Sequence, residues 1–396
     1  MKRWSVKPLG EVCSVNPKLA ASDAPAADTE VTFVPMAAVD EVSGTIARPE
    51  HRRYSEVAKG YTSFRENDVL FAKITPCMQN GKTAVASNLC NGFGFGSTEF
   101  HVLRSTGSVL PRWVFAFIRQ PAFRNAAEGS FTGSAGQQRV PSDFLKAFPI
   151  PVPPLAEQER LVKLLDEADE LRKLRAQADR RTADLIPALF HDMFGDPLAN
   201  PKAWPESIFA DHLELLEYGP RFYNEAYSEA GPRIVRITDL DGAGNLNFST
   251  MPRLQVDSAI FEARGLKPGE LIFARSGATV GKVAIVPDNA PPCIAGAYFI
   301  RLRFEPSIHP VYAAYLIRCP SVQGIIINNS KQSAQQNFSG PGIRSLPLPV
   351  PPLPLQKKFA ARVSDIRAMQ AEQGTSRRRL DDLFQSMLHR AFQGEL

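Results

Sequence analysis

Glycine, lysine and a hydroxyl stand together at Gly81-Lys82-Thr83, the residue types from which phosphate-binding loops are made. That chemistry needs a second glycine where Pro76 stands, so that backbone amides can cradle a phosphate. The other half of the chain carries Gly281-Lys282, with Ser276 at the earlier place and Val283 instead of the hydroxyl. Neither half meets the requirement, which leaves a β-turn with a lysine at its exit. No Gly-x-Gly-x-x-Gly leads a strand into a helix, and GFGFGS, from Gly92, has another spacing and reads as a loop. An Asn/Asp-Pro-Pro-aromatic motif for amino-group methylation is missing, because VPPL and APPC lack both flanks. Glu-x-Lys and Asp-x-Lys, the usual end of a metal-dependent nuclease site, do not occur. The histidines, His51, His101, His191, His212, His309 and His389, form no i, i+4 pair, and there is no Gly-x-Ser-x-Gly elbow. The chain reads as non-catalytic, with no metal site and no cofactor of its own.

What remains is polar, basic and glycine-flanked, and it occurs at matched places in both halves. Lys73, Gln79 and Lys82 lie on and beyond one strand end, as do Arg275, Ser276 and Lys282 in the other half. Two loops, Gln137-Gln138-Arg139 and Gln335-Gln336-Asn337, offer the same side chains, and Arg236 follows another strand. Arginine and lysine reach guanine edges or phosphates, and glutamine and asparagine pair with adenine. Glycine lets backbone approach phosphate closely. These clusters are the candidate DNA-binding residues. Taken singly, each is an ordinary solvated side chain; duplication is what singles them out. The Gln-Gln loops have a structural alternative, in which their amides tie the loop to the proline-rich segment that follows.

The elements that must hold these clusters are themselves duplicated. Pro149, Pro151, Pro153, Pro154, Leu155 and Gln158 match Pro347, Pro349, Pro351, Pro352, Leu353 and Gln356 at a constant offset. Each proline run fixes φ and forbids a central strand, so it is a stiff extended lead-in to a helix. Leu161, Leu164, Ala168, Leu171, Ala178, Leu185 and Leu189 then keep three- and four-residue steps, interrupted at Arg175 and Thr182. The second copy carries Phe359, Val363, Ile366, Met369, Leu380, Leu383 and Met387, with a weak middle from Gly374 to Arg379. That pattern predicts the seam of an antiparallel coiled coil, a rod of about 50 Å if roughly 35 residues take part.

Between the helices the halves share further landmarks in one order. Trp4 pairs with Trp204, FVPMAAVD from Phe33 with IVRITDLD from Ile234, and STEFHVLR from Ser97 with GAYFIRLR from Gly296. NDVLFAKITPCMQNGKTAV from Asn67 pairs with GELIFARSGATVGKVAIV from Gly269, and PRWVFAFIRQP with PVYAAYLIRCP. Residues 11 to 30 have no evident counterpart in 211 to 231. The expected fold is α+β: two similar strand-rich domains, 1–150 and 199–348, with helices at 151–198 and 349–396 giving pseudo-two-fold symmetry. A two-fold protein reads two half-sites at a set separation, and unlike domains read unlike half-sites.

With 396 residues, 44% of them apolar, the chain supports more than one core. A net charge of +5 permits a nucleic-acid partner. Five widely spaced cysteines without a Cys-x-x-Cys pair fit a reducing compartment, and no apolar run is long enough for a membrane span. A soluble, cytoplasmic protein is expected.

At the junction IPVPPLAEQERLVKLLDEAD, echoed by PLPVPPLPLQKKFAARV and preceded in each half by the Gln-Gln loops, the chain resembles a type I restriction-modification specificity subunit. The resemblance covers essentially the whole chain. It implies two target recognition domains separated by two helices, each domain reading one part of a bipartite double-stranded DNA sequence. It implies two methyltransferase subunits docked on this chain, motor-nuclease subunits joining them, and S-adenosylmethionine held by the methyltransferase partner. Pro354-Leu355 departs from the Ala-Glu favoured at the junction, and Gly374 softens the distal helix. Two other readings compete: a coiled-coil scaffold with two protein-binding heads, and a stand-alone methyltransferase or nuclease, which the missing motifs disfavour.

Overall fold

A computed structural model describes residues 4–134, 136–222, 226–330 and 336–396. The chain forms two compact units, the first of residues 1–178 with 374–396 and the second of residues 179–373.

In the first unit, four strands order as Cys13–Val15, Phe100–Ser105, Val69–Ala72 and Thr83–Val85, each pair antiparallel. All of Val69–Ala72 is buried, so its sequence shows no polar alternation. Both faces of the sheet are covered. Val69 and Phe71 face a core with Trp113, Phe117 and Phe123, while Leu70 and Ala72 pack with Val34, Phe64 and Phe100. The period of two survives as a choice between two cores.

The second unit repeats this sheet with Leu213–Tyr218, Phe299–Phe304, Leu271–Ala274 and Val283–Ile285. Leu271 and Phe273 turn to one core, Ile272 and Ala274 to the other. Its edge strand Leu213–Tyr218 answers Cys13–Val15, which supplies the counterpart that residues 11 to 30 lacked in sequence.

Another sheet of the first unit orders as Glu50–Arg53, Glu30–Val34, Phe93–Gly96 and Thr62–Arg65, with Glu30–Val34 and Phe93–Gly96 parallel. The GFGFGS stretch, expected to be a loop, is therefore an inner strand. Its glycines are there for space. A Cβ on Gly94 would come within 2.0 Å of the Phe64 ring, and one on Gly96 within 2.5 Å of the Val34 carbonyl oxygen. Among the described residues the second unit keeps the parallel pair, Ser228–Val235 with Cys293–Ala295.

The first proline run is extended, as its φ angles require: Pro149–Val152 pairs antiparallel with Ser5–Pro8. The second is held by single bonds, from Leu348 N to Ser207 O and from Val350 N to Pro205 O, both 2.8 Å. Long helices follow at once, Leu155–Ala183, then Leu185–Phe194 after a break at Asp184, and Leu353–Gln393. Gly374 does not interrupt the last of these.

Helix segments run antiparallel within each unit. In the first, Leu161 and Leu165 share a core with Leu388 and Phe392. In the second, Ile186, Phe190 and Phe194 pack with Phe359 and Val363, and Thr182 donates to Gln373 at 2.9 Å.

Of the residues expected along the seam, Leu171, Leu185, Met369 and Leu383 are exposed. Arg172 takes the facing place beside Leu171, with its guanidinium 4.5 Å above the Phe384 ring and bonded to Asp381 at 2.7 Å. A guanidinium on an aromatic face with a carboxylate partner replaces a leucine pair there. No helix among the described residues is long and apolar enough to cross a membrane.

Candidate nucleic-acid interface

The strand Val69–Ala72 ends at Lys73, where the chain leaves the sheet. Three backbone bonds fix this exit: Lys73 N to Glu99 O at 2.9 Å, Val140 N to Lys73 O at 2.9 Å and Thr75 N to Gln138 O at 3.0 Å. The loop carrying Gln137, Gln138 and Arg139 is thereby stitched to the strand end. The second unit repeats the crossing bond for bond. Arg275 N donates to Tyr298 O at 2.9 Å, Phe338 N to Arg275 O at 2.7 Å and Gly277 N to Gln336 O at 3.0 Å. Two clusters distant in sequence, 62 residues apart at Arg275 and Asn337, thus become one site in each unit: Lys73 with Gln137, Gln138 and Arg139, and Arg275 and Ser276 with Gln336 and Asn337. Gln335 lies outside the described residues. The described residues of both loops are tied to the strand end by backbone bonds.

Side chains at the two crossings differ. Arg139 donates from Nε and Nη2 to Glu99 at 2.9 and 2.8 Å, and from Nη1 to Gln137 O at 2.9 Å. That bidentate bond holds the Glu99 carboxyl below its ordinary range. Arg275 lies over the Tyr218 ring at 5.0 Å, donating from Nε to Ala297 O at 3.2 Å and from Nη1 to Asn337 Oδ1 at 3.3 Å. Beside it the Ser276 hydroxyl is buried, with no hydrogen-bond partner among the described residues. Lys73 lines a groove of about 530 Å³ with Lys18, Tyr54, Tyr61 and Phe95. Beneath the first crossing, buried His101 bonds Val140 O at 2.8 Å, and burial pushes its pKa down, favouring the neutral ring.

The remaining candidates are engaged elsewhere. Gly81 and Gly281 sit at φ 79° and 88°, the left-handed region that glycine adopts freely, and close matching turns. Lys82, at the exit of the first turn, points inward, bonding Met36 O at 3.3 Å and Val39 O at 3.1 Å, near Glu41 at 3.7 Å. Lys282 has no such partner among the described residues. Gln79 donates to Glu128 at 2.6 Å. Arg236 grips Asp239 at 2.9 and 3.0 Å and Thr250 O at 2.6 Å, bracing its own turn.

Sequence reasoning missed Glu99 and Tyr298, although both stand at the same place in matched landmarks, STEF and GAYF. It missed Tyr218 for want of any repeat signal. Among the described residues no group of three His, Cys, Asp or Glu side chains is placed to hold a metal ion. Burial pushes the thiols of Cys13 and Cys319 up to about 12, and that of Cys293 to about 11, which leaves them poor nucleophiles.

The family model described as "Type I restriction modification DNA specificity domain" matches residues 1–179 and 233–377. The specificity subunit of the type I restriction enzyme EcoAI from Escherichia coli is 38% identical over 175 residues, 43% of this chain. That match spans 29% of the relative's length. The EcoKI specificity subunit of Escherichia coli strain K12 is 25% identical over 335 residues, 74% of this chain and 68% of the relative.

Among solved structures, a chain from work on complex assembly and conformational transition of the type I R-M system superposes with a TM-score of 0.67 at 20% identity. It covers 100% of this chain and 98% of its own. The S subunit of a type I restriction-modification system from M. genitalium gives 0.56 at 13% identity, over 98% and 96%. At those identities the likeness is one of fold. Because the family model matches most of the chain, this protein belongs to the type I restriction-modification DNA specificity family.

Proposed function

We propose that the chain is the DNA-recognition subunit of a type I restriction-modification complex and reads a bipartite double-stranded target, one half-site per domain. Specificity subunits are the non-catalytic recognition components of such systems. The observation that carries the proposal is the duplicated crossing, a shared backbone frame that presents different polar side chains in each unit. Identical half-sites would need identical side chains; unlike ones need this arrangement.

The proposed organisation has recognition domains at 1–150 and 199–348. The helices of 151–198 and 349–396 form a pseudo-two-fold antiparallel coiled coil between them. The near-repeated helices suit two copies of one partner, the methyltransferase subunit, which would hold S-adenosylmethionine. Motor-nuclease subunits would join that assembly in the cytoplasm. Lys73, Gln137, Gln138, Arg139, Arg275, Ser276, Gln336 and Asn337 are the proposed DNA-facing set, with Gln79, Lys82, Arg236, Lys282 and Gln335 as flanking candidates.

The test is equilibrium binding of the full chain to duplex DNA over a salt series. Affinity should fall linearly on a log–log plot, with a slope near 0.9 per phosphate neutralised. No retention on duplex DNA at low salt would refute the proposal and favour a protein-binding scaffold.

A further inference from the structure

The two crossings align three side-chain positions, and this inference rests on the DNA-recognition reading above. Glu99 and Tyr298 each accept the bond from the strand-end residue, and Arg139 and Asn337 each occupy the bridged loop position. The sets are therefore Lys73, Glu99 and Arg139 in the first unit and Arg275, Tyr298 and Asn337 in the second. The backbone frame is common; no residue of the three is conserved between units except for charge at the strand end. Exposed side chains that vary on a fixed frame are what a duplicated reader needs in order to read two sequences.

In the first unit Arg139 is 39% exposed, yet its guanidinium plane is fixed by two bonds to Glu99. Nη1 and Nη2 each retain a second N–H, donors of the kind that reach O6 and N7 of guanine. Lys73, a point charge without a fixed plane, suits a phosphate instead. In the second unit Asn337 is exposed, and its carbonyl is anchored by Arg275, whose guanidinium lies over the Tyr218 ring. The amide retains an N–H donor and a second lone pair, the donor and acceptor set for N7 and N6 of adenine. Tyr298, 56% exposed, stands where the first unit has a carboxylate, so no anion fixes the reader there.

We propose that positions 139 and 337 read bases: Arg139, oriented by Glu99, reads a guanine in one half-site, and Asn337, oriented by Arg275, reads an adenine in the other. Glu99 and Arg275 are positioning residues.

The test is selection of bound duplexes from a randomised library by the full chain, comparing wild type with Arg139→Ala, Glu99→Gln and Asn337→Ala. Wild type should recover a two-part motif. Arg139→Ala should lose preference at one guanine, by roughly tenfold, with the other half of the motif unchanged. Glu99→Gln should weaken that same preference while binding persists, which a merely structural role would not produce. Asn337→Ala should act on an adenine in the opposite half only. If the variants recover the wild-type motif, or bind all sequences uniformly more weakly with base preferences intact, the assignment is overturned and DNA recognition stands. A wild type that binds duplexes without any motif overturns both.

Discussion

At the scale of single residues, two matched glutamines outside the proposed DNA-facing set are bonded at both ends of their amides. Gln158 and Gln356 are fully buried. Gln158 donates to Ser108 O at 3.0 Å and Pro153 O at 2.8 Å and accepts from Leu110 N at 2.8 Å. Gln356 does the same with Ser307 O, Pro351 O and His309 N. Each ties the proline turn, the first turn of a long helix and the lead-in to a shorter helix into one joint. Trp113 and Tyr312 reinforce it, donating to Pro151 O and Pro349 O. Truncation to alanine orphans a buried N–H and two carbonyls, so Gln158→Ala and Gln356→Ala should each destabilise by about 3 kcal/mol. A lowered urea midpoint for each variant checks this; unchanged midpoints would show that water replaces the amide. The matched glutamines were visible in the sequence as part of a repeat, but their role was not. A polar residue in a first helical turn reads as a cap until its surroundings are known.

At the scale of elements, the long helices show how much a local rule yields to context. Gly374 weakens helix propensity, yet Leu353–Gln393 runs through it without a break. Nothing lies within 4 Å of where its Cβ would be. Gly374→Ala should therefore stabilise the protein by about 1 kcal/mol, by removing glycine's backbone entropy. A raised thermal midpoint is the readout, and a lowered one would mean that the helix needs freedom there. The strands Glu30–Val34, Val69–Ala72 and Phe100–Ser105 were legible, because their Val, Ile and Phe runs are continuous. GFGFGS was not, because its glycines report a neighbour, Phe64, that sequence cannot place beside them. The seam was legible at Leu161, Phe359 and Val363 but not at Leu171. There Arg172 and Phe384 form the contact, an interaction that an apolar pattern does not register.

At the scale of the whole molecule, the proposed spacing role of the helices makes a separate prediction. Removing one heptad from each helix, residues 168–174 together with 376–382, takes out Arg172 and Asp381 as a pair and keeps the heptad phase. Selection from a randomised library should then recover both half-sites with a changed spacer. An unchanged spacer would end the idea that the helices measure distance, while leaving the two readers as proposed.

The sequence by itself determined the duplication, the mixed strand and helix content, the missing catalytic motifs and the family, since each is written in local residue types and their order. The tertiary structure alone decided which polar side chains are available. Lys82 looked equivalent to Lys73 in sequence, but its ammonium is spent on the Met36 and Val39 carbonyls. A side chain's partners are chosen by strands and loops distant in the chain, and a charged group turns inward wherever such acceptors lie within reach. Composition records the charge of a residue, and only packing records where that charge is satisfied.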